Sequence, residues 1–365
     1  MLSAEESLSR LLPTTSLGGA MTDEIEPAHR TAVRFPGISP RAYEHPVDRG
    51  ALATLRAVPG FAQVIKAVSG FYNERGERLM ALASSIRVGP RQYPELDRLR
   101  HECAETLDLP VVPNLFVYQD PRLQASALGM DEPFIRISTA LVGQMSHESL
   151  RFAIGHEMGH VLSGHAVYRT IMVRLINLQM SMSWTPVSAL GIRAIIAALS
   201  EWYRKAELSC DRAGLLCGQD PTAALRAQIQ LAGGVDPSRI DIPSFLRQGA
   251  EYESGEDIRD SLLKLKYVET ETHPFAVVRA TQLQKWAASE GYRAILTGDY
   301  PRRDDDAPAA DWKDDLKSAA KSYKDSWTAS ADPLTKVFTE VGETVADTAS
   351  KVWAKFGGSS ENGNA

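Results

Sequence analysis

Basic residues are not in surplus: 40 Lys and Arg stand against 46 Asp and Glu, a net charge of -6. That balance lacks the positive footprint on which nucleic-acid binding depends, so no nucleic-acid partner is expected. Cysteine is scarce, with only Cys103, Cys210 and Cys217 in 365 residues. An odd count without dense spacing excludes a secreted disulfide framework and fits a reducing cytoplasm. The first twenty residues have no basic run followed by an apolar core, which argues against a secretory signal. Long apolar runs are missing too. The longest uncharged stretch, between Arg174 and Arg193, contains Asn177, Gln179, Ser181, Ser183, Thr185, Pro186 and Ser188, polar groups that a lipid-facing helix would leave unsatisfied.

What is present is ordinary for a folded chain: 44% hydrophobic and 24% charged residues, enough to bury a sizeable core. The pattern predicts a mainly helical α+β protein in three parts. Residues 1–50 carry scattered Pro and Gly and read as a loosely draped arm. Residues 51–300 form the main domain, and 301–365 an acidic linker and an amphipathic helical tail. Within the domain, Leu79, Leu82 and Ile86, then Leu96, Leu99, Cys103 and Leu107, recur at helical spacing as core positions. Leu115 to Tyr118 and Phe134 to Ser138 have strand composition, and Arg151 to His165 runs on as one helix without a proline. His165 would then be rotated by about 140° from His160 and be structural. Cys210 and Cys217, about two turns or roughly 10 Å apart on a helix, are too distant for a disulfide and read as core residues.

The chemistry lies in His156-Glu157-Met158-Gly159-His160. Histidines four apart share a helix face, so both imidazoles can hold one cation, and Glu157 is placed to take a proton from water rather than to bind the metal. A catalytic Zn²⁺, one per chain, needs a third protein ligand, which Glu207 in Glu207-Leu208-Ser209-Cys210-Asp211 supplies. Asp211, on the same face as Glu207, is positioned to fix the tautomer of His156.

RFAIGHEMGHVLSGH, WYRKAELSCDRAGLL and QASALGMDEPFIRIST together resemble the M48 family of zinc metallopeptidases from about Leu52 to Arg279. The resemblance implies a zincin-like (gluzincin) fold, a zinc endopeptidase acting on extended polypeptide, and a sheet whose edge strand holds the substrate backbone. On that basis Phe134, Ile135, Arg136 and Ile137 are the substrate-binding strand. Two departures are visible. Gln124-Ala125 replaces the usual Asn-Ala, and the stretch between the ligand helices is too polar to span a membrane, which implies a soluble branch. His273, in Thr272-His273-Pro274-Phe275, resembles a downstream His-Pro element; oxyanion stabilisation and a structural role are both open to it.

The tail repeats Leu334, Phe338, Val341, Val345, Ala349, Val352 and Phe356 at three- or four-residue steps. Docking on its own catalytic domain is the first expectation. Restraint of the active cleft is a sharper one, and peripheral attachment of a cytoplasmic protein to a membrane surface a third. The competing function is a non-catalytic zinc-bearing adaptor that binds partners or a membrane surface through this tail.

Overall fold

The computed structural model describes residues 32–46, 48–49, 52, 74–181, 186–233, 236–254 and 276–306. His273, the tail beyond 306 and the chain before residue 32 lie outside the described residues. The protein is mainly helical with one small sheet, as its sequence pattern implies.

Helices α1 (Glu74–Ser84) and α2 (Pro94–Thr106) come first. Proline opens α2, Glu95 and Asp97 occupy its first turn where the helix dipole favours acids, and Leu96, Leu99 and Cys103 point into the core. In α1 the expectation fails. Leu79 and Leu82, and Ile86 just beyond, are 46–53% exposed while Ala81 is the buried position, because the helix turns its alanine inward and leaves its larger apolar residues outside.

The strands are β1 (Ile86–Arg87), β2 (Asn114–Tyr118), β3 (Ala125–Leu128) and β4 (Phe134–Ser138). Their order is β1-β2-β4-β3, with β2 and β4 parallel and the outer pairs antiparallel. The strand expected at the edge, Phe134 to Ser138, is therefore internal. Both its sides are hydrogen-bonded, so Phe134, Ile135, Arg136 and Ile137 cannot add a peptide by main-chain pairing. The edge strands are β1 and β3, and β3 is the edge beside β4.

Ser138 caps α3 (Thr139–Gln144), and Ser146 caps α4 (His147–Leu162) by accepting from Ser149 N–H. Helix α4 stops short of His165. Ser163 ends it and Gly164 turns the chain at φ +71°, a conformation that suits glycine. His165 instead opens α5 (His165–Ser181), so its position follows from a turn and not from helical rotation. Beyond lie α6 (Pro186–Gly218), α7 (Pro221–Leu231), α8 (Ile242–Ser254), α9 (Ala276–Ala287) and α10 (Glu290–Leu296). Among the described residues, no helix is long and apolar enough to cross a membrane.

Helices α4 and α6 pack at close range because glycine allows it. A Cβ on Gly155 would stand 2.5 Å from Cys217 Cβ, and one on Gly159 would stand 2.6 Å from Ala213 Cβ. The expected domain limits shift at both ends. Phe35, Ile38 and Tyr43 are wholly buried in the core, so the loose arm does not extend through residues 32–46. Ser39 N–H donates to Pro301 C=O and its hydroxyl to Asp306, which joins residues 301–306 to the domain.

Candidate active site

Helix α4 presents His156, Glu157 and His160, and α6 presents Glu207 and Asp211; all five are buried. His156 Nε2 lies 3.2 Å from His160 Nε2. Glu207 closes the triangle, with Oε2 3.4 Å from His156 Nε2 and Oε1 3.2 Å from His160 Nε2. A tetrahedral Zn²⁺ with bonds of about 2.0–2.1 Å separates its ligands by about 3.3 Å, so two imidazoles and one carboxylate are already spaced for it. The donor set fits the ion.

Asp211 braces this triangle from behind. It accepts from His156 Nδ1 at 3.0 Å, Gln228 Nε2 at 2.8 Å, and Arg279 Nε and Nη2 at 2.8 and 2.6 Å. Burial alone would raise its carboxyl, but the Arg279 guanidinium outweighs that and holds it below the usual range. Arg279, on α9, also places Nη1 2.9 Å from Glu207 Oε2. One cation thus partners both buried carboxylates. Burial pushes the His156 imidazole down, yet Glu207 and Asp211 lift it to about 9. For His160, burial outweighs the lift from Glu207 and holds the imidazole well down, and among the described residues its Nδ1 has no hydrogen-bond partner.

Glu157 projects from α4 toward β3. Burial raises its carboxyl, the Ala127 main chain gives it a hydrogen bond, and among the described residues Oε2 carries no partner. The alternation of β3 explains the contact. Gln124 C=O accepts Ser138 N–H, so residues 124, 126 and 128 face β4, while Ala125 and Ala127 turn their main-chain groups outward.

Two site residues were not foreseen. Arg279 lies 68 residues beyond Asp211 and carries no local signal. Tyr203 does carry one, since Tyr203, Glu207 and Asp211 are spaced four apart on one helix face. Its ring lies nearly parallel to that of His160 with centroids 5.0 Å apart, its hydroxyl is 3.3 Å from His160 Nε2, and Arg169 Nη1 donates to that hydroxyl at 2.5 Å. Behind His160 lies a second group. Cys210 Sγ is 3.5 Å from His165 Nδ1, and His165 Nε2 is 3.4 Å from Asp48, which accepts from Trp202 and Ser209. Cys103, Cys210 and Cys217 are free and buried.

Comparison with known proteins adds independent findings. Peptidase family M48 matches residues 90–287. The plastoglobule-localized metallopeptidase 48, chloroplastic, of Arabidopsis thaliana is 31% identical over 271 residues, covering 72% of this chain and 77% of that protein. Protease HtpX of Yersinia enterocolitica is 32% identical over 104 residues, 27% of this chain and 35% of that one. Protease HtpX of Xylella fastidiosa is 30% identical over 90 residues, 24% and 30% respectively. No solved structure matches the chain. A family match over more than half the length, converging on the helices that carry the His-Glu triangle, leads to one assignment: the chain belongs to peptidase family M48.

Proposed function

We propose that this protein is a zinc-dependent endopeptidase that hydrolyses peptide bonds in extended or unfolded polypeptide. The observation that carries the reading is the triangle of His156, His160 and Glu207, spaced for tetrahedral Zn²⁺, with Glu157 beside it and an outward-facing strand within reach. Bound there, the ion would supply Lewis acidity, polarising the scissile carbonyl and lowering the pKa of a water. The chain's own residues do the rest. Glu157 takes a proton through Oε2 and returns it to the leaving amine, a task suited to a carboxyl that burial raises. Asp211 keeps His156 in one tautomer, with the ring turned toward the triangle. Ala125 and the Ala127 carbonyl lie on the unpaired side of β3, beside the Ala127 hydrogen bond to Glu157, where an extended peptide can add as a further strand.

The test is digestion of an unfolded protein mixture by the full-length zinc-loaded protein beside Glu157→Gln. Cleavage by the wild type, reduced at least a hundredfold in the variant at unchanged zinc content, is the expected result. Equal cleavage by both proteins would sink the assignment of Glu157. Cleavage by neither would favour the zinc-bearing adaptor.

For the tail, which lies outside the described residues, the proposal is docking on the catalytic domain with restraint of its activity. The Arabidopsis relative carries plastoglobule localisation in its name, and the matching proposal here is peripheral attachment through the same amphipathic segment. Deleting residues 307–365 should raise peptidase activity and release the protein from anionic vesicles. Unchanged activity would discard the restraint, and unchanged vesicle binding the attachment.

A further inference from the structure

Tyr203 stands beside the ligand triangle, yet neither metal binding nor proton transfer as proposed above uses it. Its oxygen is the meeting point of two contacts: it accepts from Arg169 Nη1 at 2.5 Å and lies 3.3 Å from His160 Nε2. Because the guanidinium can only donate, the phenol proton is directed at the imidazole nitrogen. That nitrogen is also one corner of the metal-spaced triangle. Once its lone pair is committed to a cation, it can no longer accept, and among the described residues the phenol makes no hydrogen bond to another acceptor. Tyr203 is 3% exposed, and a buried donor left unmatched is costly. An oxygen arriving next to the metal ligands would relieve it.

We infer that Tyr203 is a catalytic residue of this peptidase, donating its hydroxyl hydrogen to the oxyanion that develops on the scissile carbonyl, with Arg169 as the positioning residue that holds the phenol oxygen. The inference rests on the proposed metal ligands and on Glu157 as base. Three features argue for donation to an oxyanion rather than for a packing role. The hydroxyl is aimed at a ligand atom and not at a main-chain carbonyl. The cationic Arg169 contact makes the phenol a stronger hydrogen-bond donor to a developing charge. The near-parallel ring contact with His160, 5.0 Å between centroids, fixes the hydroxyl before substrate arrives, which is what oxyanion stabilisation requires. Tyr203 also sits one helical turn before Glu207 on the same face, so the ligand and the donor are set by a single rigid helix. Arg169 comes from α5, across from it, and its guanidinium carbon lies 5.0 Å from the Tyr203 ring centroid.

The experiment uses the full-length zinc-loaded protein and an internally quenched peptide built on a cleavage site found in the unfolded-protein digest. Tyr203→Phe is compared with wild type for kcat, KM, zinc dissociation constant and binding of a phosphinic peptide that mimics the tetrahedral oxyanion. The expected result is a fall in kcat of about 10²–10³ and a similar loss of phosphinic-peptide affinity, with KM and zinc affinity within a few-fold of wild type. Arg169→Gln keeps the phenol and should lower kcat about tenfold with little change in KM; it stands in if Tyr203→Phe fails to fold. Unchanged kcat and phosphinic-peptide binding in the variants would overturn the inference and leave Tyr203 a packing residue. A weakened zinc constant with an altered visible spectrum of the Co²⁺-substituted protein would overturn it in another way, by making the phenol a metal ligand. Failure of the underlying metal and base assignments is read separately, from a wild type that neither binds zinc nor cleaves.

Discussion

Arg279 Nη1 lies 2.9 Å from Glu207 Oε2, and the same guanidinium spans to Asp211 at 2.6 Å. Two carboxylates four residues apart on one buried helix face repel each other, and the fixed cation between them holds the Asp211 carboxyl below its usual range. Removing it takes away the cation they share, leaving Asp211 to His156 and Gln228. Arg279→Gln should destabilise the fold by about 3–5 kcal/mol and lower zinc affinity, since Asp211 would then protonate and lose its hold on His156. Arg279→Lys should recover only part, because an ammonium cannot reproduce the fork. Urea melts and zinc titration of the three proteins check this; wild-type zinc affinity in Arg279→Gln would contradict the argument.

The ligand triangle exists only because α4 and α6 approach to the distance that glycine permits. Gly159→Ala would bring a methyl group to 2.6 Å from Ala213 Cβ and 3.3 Å from Cys210 Cα, contacts that the backbone cannot relieve locally. The expected cost is about 1–3 kcal/mol, with a wider His-Glu separation and weaker zinc binding. Gly143, in α3, has nothing within 4 Å of an added Cβ, so Gly143→Ala should be neutral or stabilising by up to about 1 kcal/mol. Thermal melts of the pair test whether the packing distance, and not glycine content, is what matters.

These helices also mark what the sequence made legible. That His156, Glu157, His160 and Glu207 come together is legible, the first three because a five-residue spacing fixes their face and Glu207 because the proposed zinc site needs a third ligand. The core positions Leu96, Leu99 and Cys103 are readable for the same periodic reason. Arg279 is not, since only tertiary folding brings α9 against α6. Of the four strands, only β2 and β4 are legible in composition, and the sheet order is not. Phe134 to Ser138 has strong strand composition, whereas Ala125 to Leu128, the true edge, is a four-residue run of small residues that composition alone does not flag. His165 was misplaced because no proline precedes it, while the break is made by Gly164 at positive φ.

With β3 as the edge, its outward main-chain groups become testable. Ala125→Pro removes one outward N–H without touching the ladder to β4, a position where proline is tolerated. The expected outcome is a severalfold rise in KM for long unfolded substrates, with zinc content and melting temperature close to wild type. A proline that leaves KM unchanged would place the substrate elsewhere.

The pH dependence of stability follows from a histidine outside the ligand triangle, His45, whose main-chain N–H donates to Ser209. Burial first, and then the charge of Arg212, hold the His45 imidazole down at about 3, against about 6.5 in an unfolded chain. The folded state thus binds this proton less readily than the unfolded state. The stability that neutral His45 contributes is complete above about pH 6.5 and is lost as pH falls toward 3. Asp48 works in the opposite direction: burial raises its carboxyl to about 6, so its contribution is lost as pH rises through that value. The two overlap, and only a comparison separates them. Between pH 7 and pH 5, wild type should lose about 2 kcal/mol more than His45→Gln in urea unfolding. A difference between the two proteins that stays constant across that range would mean that His45 titrates in the fold as it does in water.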